Sequence, residues 1–165
     1  SMGTNLGNKV QNLYTAAAEL SNKFGLPDKS GSIYETEPWG FKSDHTFLNQ
    51  LVSIHTTLSP DSLLNIILDI ERSMGRKRNI DSGYVSRIID IDILFYGDEI
   101  IRKDNLIIPH PLIQERRFIL IPLIELVPSL IHPVYHITPK QMLERCQDKT
   151  IVRKASISIN HTVSQ

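Results

Sequence analysis

Apolar positions along this chain alternate between two periods. After the polar stretch Gly3–Asn8, Val10, Leu13, Tyr14, Ala17, Leu20 and Phe24 recur at helical spacing and Gly25 closes the segment, which predicts a first helix. Residues 31–36 are a predicted strand. Residues 47–57 are a second, although Leu48, Leu51 and Val52 are imperfectly phased. Between them, residues 37–45 (EPWGFKSDH) are a predicted loop that carries the only tryptophan. In SPDSLLNIILDIERSMG, Ser59 is placed to cap a helix, Pro60 fits its first position and Gly75 lies just beyond its end. Leu63, Leu64, Ile67, Ile70 and Met74 form the apolar stripe of that helix. A polar, basic loop over 76–86 leads into another strand, and YGDE then reads as a turn that folds Ile100–Ile101 back on it as a hairpin. Prolines punctuate the remainder: a helix is predicted around 112–125, a short one from Thr138-Pro139, and an edge strand or flexible tail from about 150. The order helix, strand, strand, helix, strand with hairpins predicts an α+β fold of the ferredoxin-like, split βαβ kind, a mainly antiparallel sheet flanked by helices.

The strand SRIIDIDILF is odd because two acids interrupt an apolar run. Alternation puts Asp90 and Asp92 on one face, about 7 Å apart at roughly 3.3 Å of rise per residue, and Ile89, Ile91, Ile93 and Phe95 on the other. Two carboxylates so placed repel each other unless water or a cation lies between them. Two readings are open at this point: a half-exposed strand with a wet face, or a cradle for divalent cations.

Composition narrows the setting. The 165 residues suffice for one domain (1–165) with a real core, and 41% hydrophobic and 22% charged content is ordinary for a folded soluble protein. Basic and acidic residues balance at 18 each, so the chain lacks the excess that nucleic-acid binders carry, and any anion site must come from local clustering. The single cysteine, Cys146, excludes an internal disulfide and fits a reducing, cytoplasmic setting. Neither a run of about 18 apolar residues nor a signal-peptide pattern at SMGTNLGN is read, so no membrane is expected. Asn160-His161-Thr162 spells a glycosylation acceptor by chance.

Cations cluster around the two acids in sequence: Arg76, Lys77 and Arg78 before the strand, Arg87 at its start, then Arg116 and Arg117, with His110 nearby. Arginine forks suit phosphate oxygens, and magnesium suits one or two carboxylates completed by water and substrate phosphates. The set matches the needs of phosphoryl transfer from a nucleotide, which rests on positioning and charge neutralisation. A D-x-D on a strand also occurs in polymerase palms, glycosyltransferases and plain surface strands. GRKR by itself reads as a solvated turn, and Glu71 as a surface acid on its helix. His132 and His136 do not make a metal pair, since Pro133 follows His132 and other ligands are lacking. The glycines at 3 and 7 lack the lysine and the spacing of a P-loop.

Taken together, GTNLGN (3–8), YETEPWG (34–40), FLNQ (47–50), IERSMGR (70–76), SRIIDIDILFYGDEII (86–101), LIIPHP (106–111) and RRFILIPLIEL (116–126) resemble the 6-hydroxymethyl-7,8-dihydropterin pyrophosphokinase family of folate biosynthesis. The combination of R-x-x-D-x-D with P-H-P and R-x-F is far more specific than any one piece. The resemblance implies transfer of the β,γ-diphosphate of ATP to the pterin hydroxymethyl oxygen, with release of AMP. It implies two magnesium ions on Asp90 and Asp92, and Arg76 and Arg87 as catalytic phosphate holders. Glu71, Arg78, Ile93, His110 and Arg116 fall in the implied ATP site, together with Arg76 and Arg87. Thr36, Pro38, Trp39, Phe47, Asn49 and Phe118 fall in the implied pterin pocket, with Trp39 on a loop able to cover the ligand. A monomer acting on small molecules is expected. Two other classes share part of the pattern: a two-metal nucleotidyl transferase or cyclase on a ferredoxin-like palm, and a non-catalytic ferredoxin-like ligand-binding module.

The chain also departs from the family pattern. Tyr84-Val85-Ser86 precede Arg87 in a loop one residue longer, Glu37 stands where proline is common, and Asn105 and Ile107 replace polar or basic residues of some relatives. The resemblance further implies a central strand ahead of GTNLGN, where this sequence has Ser1-Met2; a shortened chain, residues missing from the sequence, or an open central sheet edge would each account for the difference.

Overall fold

A computed structural model describes residues 1–40, 45–76 and 86–157. The strands are β1 (Met2–Thr4), β2 (Lys29–Ser30), β3 (Tyr34–Thr36), β4 (Phe47–Gln50), β5 (Val52–Ser53), β6 (Asp90–Ile91), β7 (Ile101–Lys103), β8 (Leu106–Ile108) and β9 (Val152–Lys154). The helices are α1 (Lys9–Phe24), α2 (Pro60–Ser73), α3 (Arg117–Leu126) and α4 (Pro139–Arg145), with a 3₁₀ turn at Ile113–Glu115. The main sheet runs β6-β1-β4-β3-β9, with every neighbouring pair antiparallel. Since β4 is antiparallel to both β1 and β3, those two strands run the same way with β4 inserted between them. That is the split βαβ arrangement expected from the element order.

Local chemistry sets the helix ends as anticipated. The Asn8 side chain accepts the Gln11 N–H at the start of α1, and Ser59 accepts that of Ser62 at the start of α2. Thr138 and Gln141 form a reciprocal capping box on α4. Gly75 follows α2 at φ 88°, a left-handed conformation that glycine adopts without a steric penalty. The edge strand anticipated after residue 150 is β9.

Met2–Thr4 is itself a strand, paired with β4 on one side and β6 on the other. Four expectations need correction. The strand expected over 47–57 breaks at Leu51, whose carbonyl takes the Gly31 N–H at 2.9 Å, so β4 stays in the main sheet while β5 pairs with β2. The strand expected over 31–36 shortens to β3, with β2 a separate strand just ahead of that range, and the helix expected around 112–125 divides at Arg116 into the 3₁₀ turn and α3. Finally, the hairpin lies one element later than expected. YGDE does turn, with the Glu99 N–H on the Tyr96 carbonyl, but β7 pairs with β8 across the two-residue turn Asp104-Asn105, while β6 gives its edge to β1.

Two apolar clusters cover the two faces of the sheet. Met2, Leu13, Leu20, Leu63, Ile67, Ile89 and Ile91 pack under α1 and α2, and Leu51, Leu94, Ile113, Leu120, Leu123 and Met142 pack under α3 and α4. The alternation read in SRIIDIDILF holds through Leu94 and then fails: Ile93 packs with the first cluster, but Phe95 joins Leu94 in the second.

Glu125 ties α3 to the far edge of the sheet. Its carboxylate accepts from Lys154 at 2.7 Å, Ser32 Oγ at 2.7 Å and Tyr34 Oη at 3.0 Å. The Lys154 hydrogen bond, helped by Ser32 and Tyr34, holds its pKa down at about 2, while burial and then Glu125 push the Tyr34 phenol up to about 12. A carboxyl depressed from 4.5 contributes stability above that pH and loses it as pH falls towards 2. Glu125→Gln should therefore cost about 1 kcal/mol near neutrality, and the gap from the wild-type chain should shrink on acidification, as read by denaturant titrations at pH 7 and pH 4.

Candidate functional site

Pairing β1 between β4 and β6 puts the GTNLGN segment beside the acid-bearing strand. Asn5 then grips the residues just before that strand: its Oδ1 accepts the Arg87 N–H at 2.7 Å, its Nδ2 donates to Ser86 Oγ at 2.9 Å, and its own N–H reaches the Arg87 carbonyl at 3.1 Å. Asn12 Nδ2 donates to Thr4 Oγ1, the Leu6 carbonyl and the Ile88 carbonyl. Neither asparagine was singled out from sequence. Asn5 in its Gly-rich turn carries a local turn reading, whereas the Asn5–Ser86 and Asn12–Ile88 contacts cross more than 75 residues.

Asp90 accepts from Arg76 Nη1 at 2.5 Å and from Arg87 Nη1. Arg76 also pairs with Glu71, whose Oε1 takes the Ile91 N–H at 2.7 Å. Glu71 is only 2% exposed, so the surface-acid reading is corrected. The end of α2 packs against β6, where a carboxylate can answer both a strand N–H and a guanidinium, and that pairing is what makes burial tolerable. Asp92 lies on the same face, with Arg116 Nη1 at 3.9 Å. The extended Arg116 backbone (φ −115°, ψ 97°) separates the 3₁₀ turn from α3, and the same break sends its guanidinium towards Asp92.

Arg116 also lies over aromatic faces, 5.0 Å from the Trp39 ring and 5.7 Å from Phe118, and those two rings meet edge to face at 6.5 Å. Asn49 Nδ2 donates to Thr36 Oγ1 at 2.8 Å in the buried floor. These groups line one pocket: Thr36, Trp39, Phe47, Asn49 and Phe118 on the aromatic and amide side, and Asp90, Asp92, Arg87 and Arg116 on the charged side. Ser1, Gly3 and Glu37 complete it and were not among the sequence candidates. Gly3 has a steric reason to be glycine, since a Cβ there would lie 2.9 Å from Asn49 Oδ1. Gly3→Ala should displace the Asn49 amide and weaken a flat heterocyclic ligand about tenfold, roughly one good hydrogen bond, with nucleotide affinity unchanged in calorimetric titrations.

The remaining candidates are placed as follows. His110 stands within electrostatic reach of Asp92 and Arg116. Burial lowers its pKa, Asp92 opposes that and Arg116 adds to the lowering. Its Nδ1 accepts the Leu112 N–H at 3.2 Å. Ile93 lines a neighbouring cavity rather than this pocket, and Pro38 is not among the residues lining the pocket. Arg78, along with Lys77, Tyr84 and Val85, lies outside the described residues, as does Asn160-His161-Thr162. His132 is a structural residue: it is buried against Phe95 and Tyr135, with Nδ1 accepting from the N–H groups of Val134 and Tyr135.

A cluster of three or more His, Cys, Asp or Glu that could hold a metal is absent among the described residues. Asp90 and Asp92 put two carboxylates on one pocket wall. That suits a hard cation which keeps waters and takes its other oxygens from a phosphate, whereas zinc and iron sites are generally built with nitrogen or sulfur ligands.

Residues 1–128 match the family model described as 7,8-dihydro-6-hydroxymethylpterin-pyrophosphokinase. The chain is 38% identical over 134 residues to the 2-amino-4-hydroxy-6-hydroxymethyldihydropteridine pyrophosphokinase of Aquifex aeolicus, covering 81% of this chain and 82% of that protein. It is also 38% identical over 151 residues to the folic acid synthesis protein fol1 of Pneumocystis carinii, covering 92% of this chain and 20% of that protein. Against the folate synthesis bifunctional protein of Arabidopsis thaliana it is 41% identical over 128 residues, 77% of this chain and 26% of that one. The chain thus spans about a fifth of the length of the fol1-type relatives it matches.

Proposed function

The chain belongs to the 7,8-dihydro-6-hydroxymethylpterin-pyrophosphokinase family, and from that premise we propose that it transfers the β,γ-diphosphate of ATP to the hydroxymethyl oxygen of 6-hydroxymethyl-7,8-dihydropterin. In this step the hydroxymethyl oxygen bonds to the β-phosphorus, the bond from that phosphorus to the oxygen left on AMP breaks, and the hydroxyl proton is lost. The observation that carries the reading is the two-sided pocket, whose aromatic and amide wall meets two aspartates and two arginines. The palm-type nucleotidyl transferase is disfavoured by the family match, and the non-catalytic module by the arginines gathered on the acids.

Each residue has a role in this proposal. Phe47, Phe118 and Trp39 offer ring faces and edges to the pterin, and the Asn49 amide, held by Thr36, offers hydrogen bonds to its edge. Asp90 and Asp92 would hold two magnesium ions, which when bound neutralise and align the triphosphate. Arg76 and Arg87, paired with Asp90 here, would also offer guanidinium donors to phosphate oxygens. Arg116 serves both sides, reaching Asp92 while lying over Trp39. Glu71 places Arg76, and His110, Ile93 and Arg78 are the residues proposed to border the nucleotide. Pro38 stiffens the loop that carries Trp39, which closes over the pterin and excludes water.

No described helix is long and apolar enough to cross a membrane. The balanced charge and single cysteine support a cytoplasmic, monomeric, single-domain enzyme over residues 1–165.

Phosphorus NMR of the chain with Mg-ATP and the reduced pterin tests the assignment. AMP and a pterin diphosphate are expected, whereas release of inorganic pyrophosphate would replace the proposal with nucleotidyl transfer. Trp39→Ala removes both the Arg116 and Phe118 contacts, so the pterin off-rate in stopped-flow fluorescence should rise about tenfold. An unchanged off-rate would show that Trp39 does not retain the ligand.

A further inference from the structure

Lys9 is the first residue of α1, where a cation works against the helix dipole, and the first turn holds no acid to offset it. Local helix chemistry therefore gives no reason for a lysine at this position. Its reason is tertiary. The ammonium reaches the segment ahead of β4, donating to the Thr46 carbonyl at 3.0 Å and to Thr46 Oγ1 at 2.9 Å. The same hydroxyl donates to Glu35 Oε1 at 2.7 Å. One threonine hydroxyl thus stands between a cation and a carboxylate, with its acceptor and donor roles both used.

Strand register places this cluster behind the candidate site. Thr36 is opposite Phe47, and Glu35 is opposite Leu48. Thr36, Phe47 and Asn49 line the pocket, whereas Leu48 turns the other way into the core cluster beneath α1. Alternation puts Glu35 and Thr46 on that second face with Leu48, and Thr46 is the diagonal cross-strand neighbour of Glu35. Lys9, Glu35 and Thr46 are accordingly not among the residues lining the pocket.

The carbonyl matters as much as the hydroxyl. It belongs to the peptide unit that joins Thr46 to Phe47, and that unit is planar, so fixing its oxygen fixes the plane from which the Phe47 Cα departs. Phe47 opens β4, and Thr46 lies outside the strand. Strand pairing therefore holds Phe47 from its C-terminal side, and the contacts among Lys9, Thr46 and Glu35 hold it from the other.

We propose that Lys9 and Glu35 are positioning residues that act through Thr46 to set the angle at which the Phe47 ring meets the pterin. The proposal rests on the pterin reading of the pocket and adds to it residues that touch neither substrate. Ring stacking depends on offset and tilt, so a small rotation at Phe47 weakens the contact without emptying the pocket. Asp90 stands on β6, with β1 between it and β4, so nucleotide affinity should hold when the clamp is cut.

The test is calorimetric titration of the full chain with the reduced pterin, in the presence of magnesium and a non-hydrolysable ATP analogue, with steady-state kinetics alongside. Lys9→Met keeps the apolar stem and removes the ammonium, and it should weaken pterin binding about fivefold. The pterin KM should rise by a similar factor, while kcat stays within about twofold. Such partly exposed contacts contribute little to stability, so the melting temperature should stay within about 2 °C of the wild-type value. Thr46→Val keeps the shape but loses the hydroxyl and should show a smaller change of the same kind, whereas Thr46→Ser keeps the hydroxyl and should bind like the wild-type chain. The decisive comparison is the double variant. With Phe47→Ala already made, Lys9→Met should cost no further pterin affinity, because its route to the ligand is gone. Equal losses with and without the Phe47 ring would show that Lys9 acts elsewhere and would overturn the proposal. A Lys9→Met variant that binds the pterin as tightly as the wild-type chain would overturn it too, leaving the pterin reading in place. A wild-type chain that takes up no pterin would remove that reading and this proposal together.

Discussion

Asp92→Ala is expected to lower turnover by about 10³-fold or more while leaving the fold intact, since in the proposed reaction losing one of two cation-holding carboxylates would remove several kcal/mol of charge stabilisation at the transferred group. The structural cost is small. The Asp92 side chain is 33% exposed, and the ion pair it makes with Arg116 spans 3.9 Å, a weak contact at the edge of ion-pair range. Its backbone, which carries the pairing with Ser1, is untouched by the substitution. Circular dichroism and melting temperature should therefore match the wild-type chain while product formation collapses. Asp92→Asn separates charge from shape: it keeps the side-chain volume and one acceptor oxygen, yet should remain impaired by a similar factor. Activity near the wild-type level in either variant would remove Asp92 from the cation site.

Glu71→Ala is expected to act in the opposite order, on stability first. The buried carboxylate answers both the Ile91 N–H and Arg76, so its removal leaves a strand donor and a largely buried guanidinium short of a partner. Breaking a buried pair from one side typically costs about 3–5 kcal/mol. For a chain of this size, about 3 kcal/mol corresponds to roughly 6–12 °C in melting temperature. Activity should fall as well, because Arg76 is shared between Glu71 and Asp90. Glu71→Gln keeps an oxygen for the Ile91 N–H and should recover part of the stability but less of the activity. Denaturant titration of both variants alongside steady-state kinetics checks the order. A Glu71→Ala variant as stable as the wild-type chain would show that the carboxylate is not the joint between α2 and β6.

The contrast between these acids shows what could be read from the sequence. Alternation in SRIIDIDILF placed Asp90 and Asp92 on one face correctly, because a period of two follows from backbone geometry alone. Helix limits around Ser59, Thr138 and Gly75 were legible for the same reason: capping is local chemistry. Glu71 was misread as exposed because its partners, Ile91 and Asp90-bound Arg76, arrive from a distant strand and from beyond the helix end, and no local pattern announces them. The hairpin was misplaced because YGDE does form a turn, while the choice of strand partner belongs to the tertiary level, where β1 takes β6. Likewise Asn5 and Gly3 lie in the stretch read as a turn and Asn12 within the predicted first helix, and their work at the site depends on long-range contacts. The pterin-side residues came instead from the family resemblance, and five of the six line a single pocket.

Calorimetric titration of the chain with a non-hydrolysable ATP analogue, with and without magnesium, tests the central claim most directly. If Asp90 and Asp92 are reconciled by cations shared with a triphosphate, binding should be at least a hundredfold tighter with magnesium, and Asp92→Asn should erase most of that difference. Equal affinity in the presence and absence of divalent ions would contradict the account.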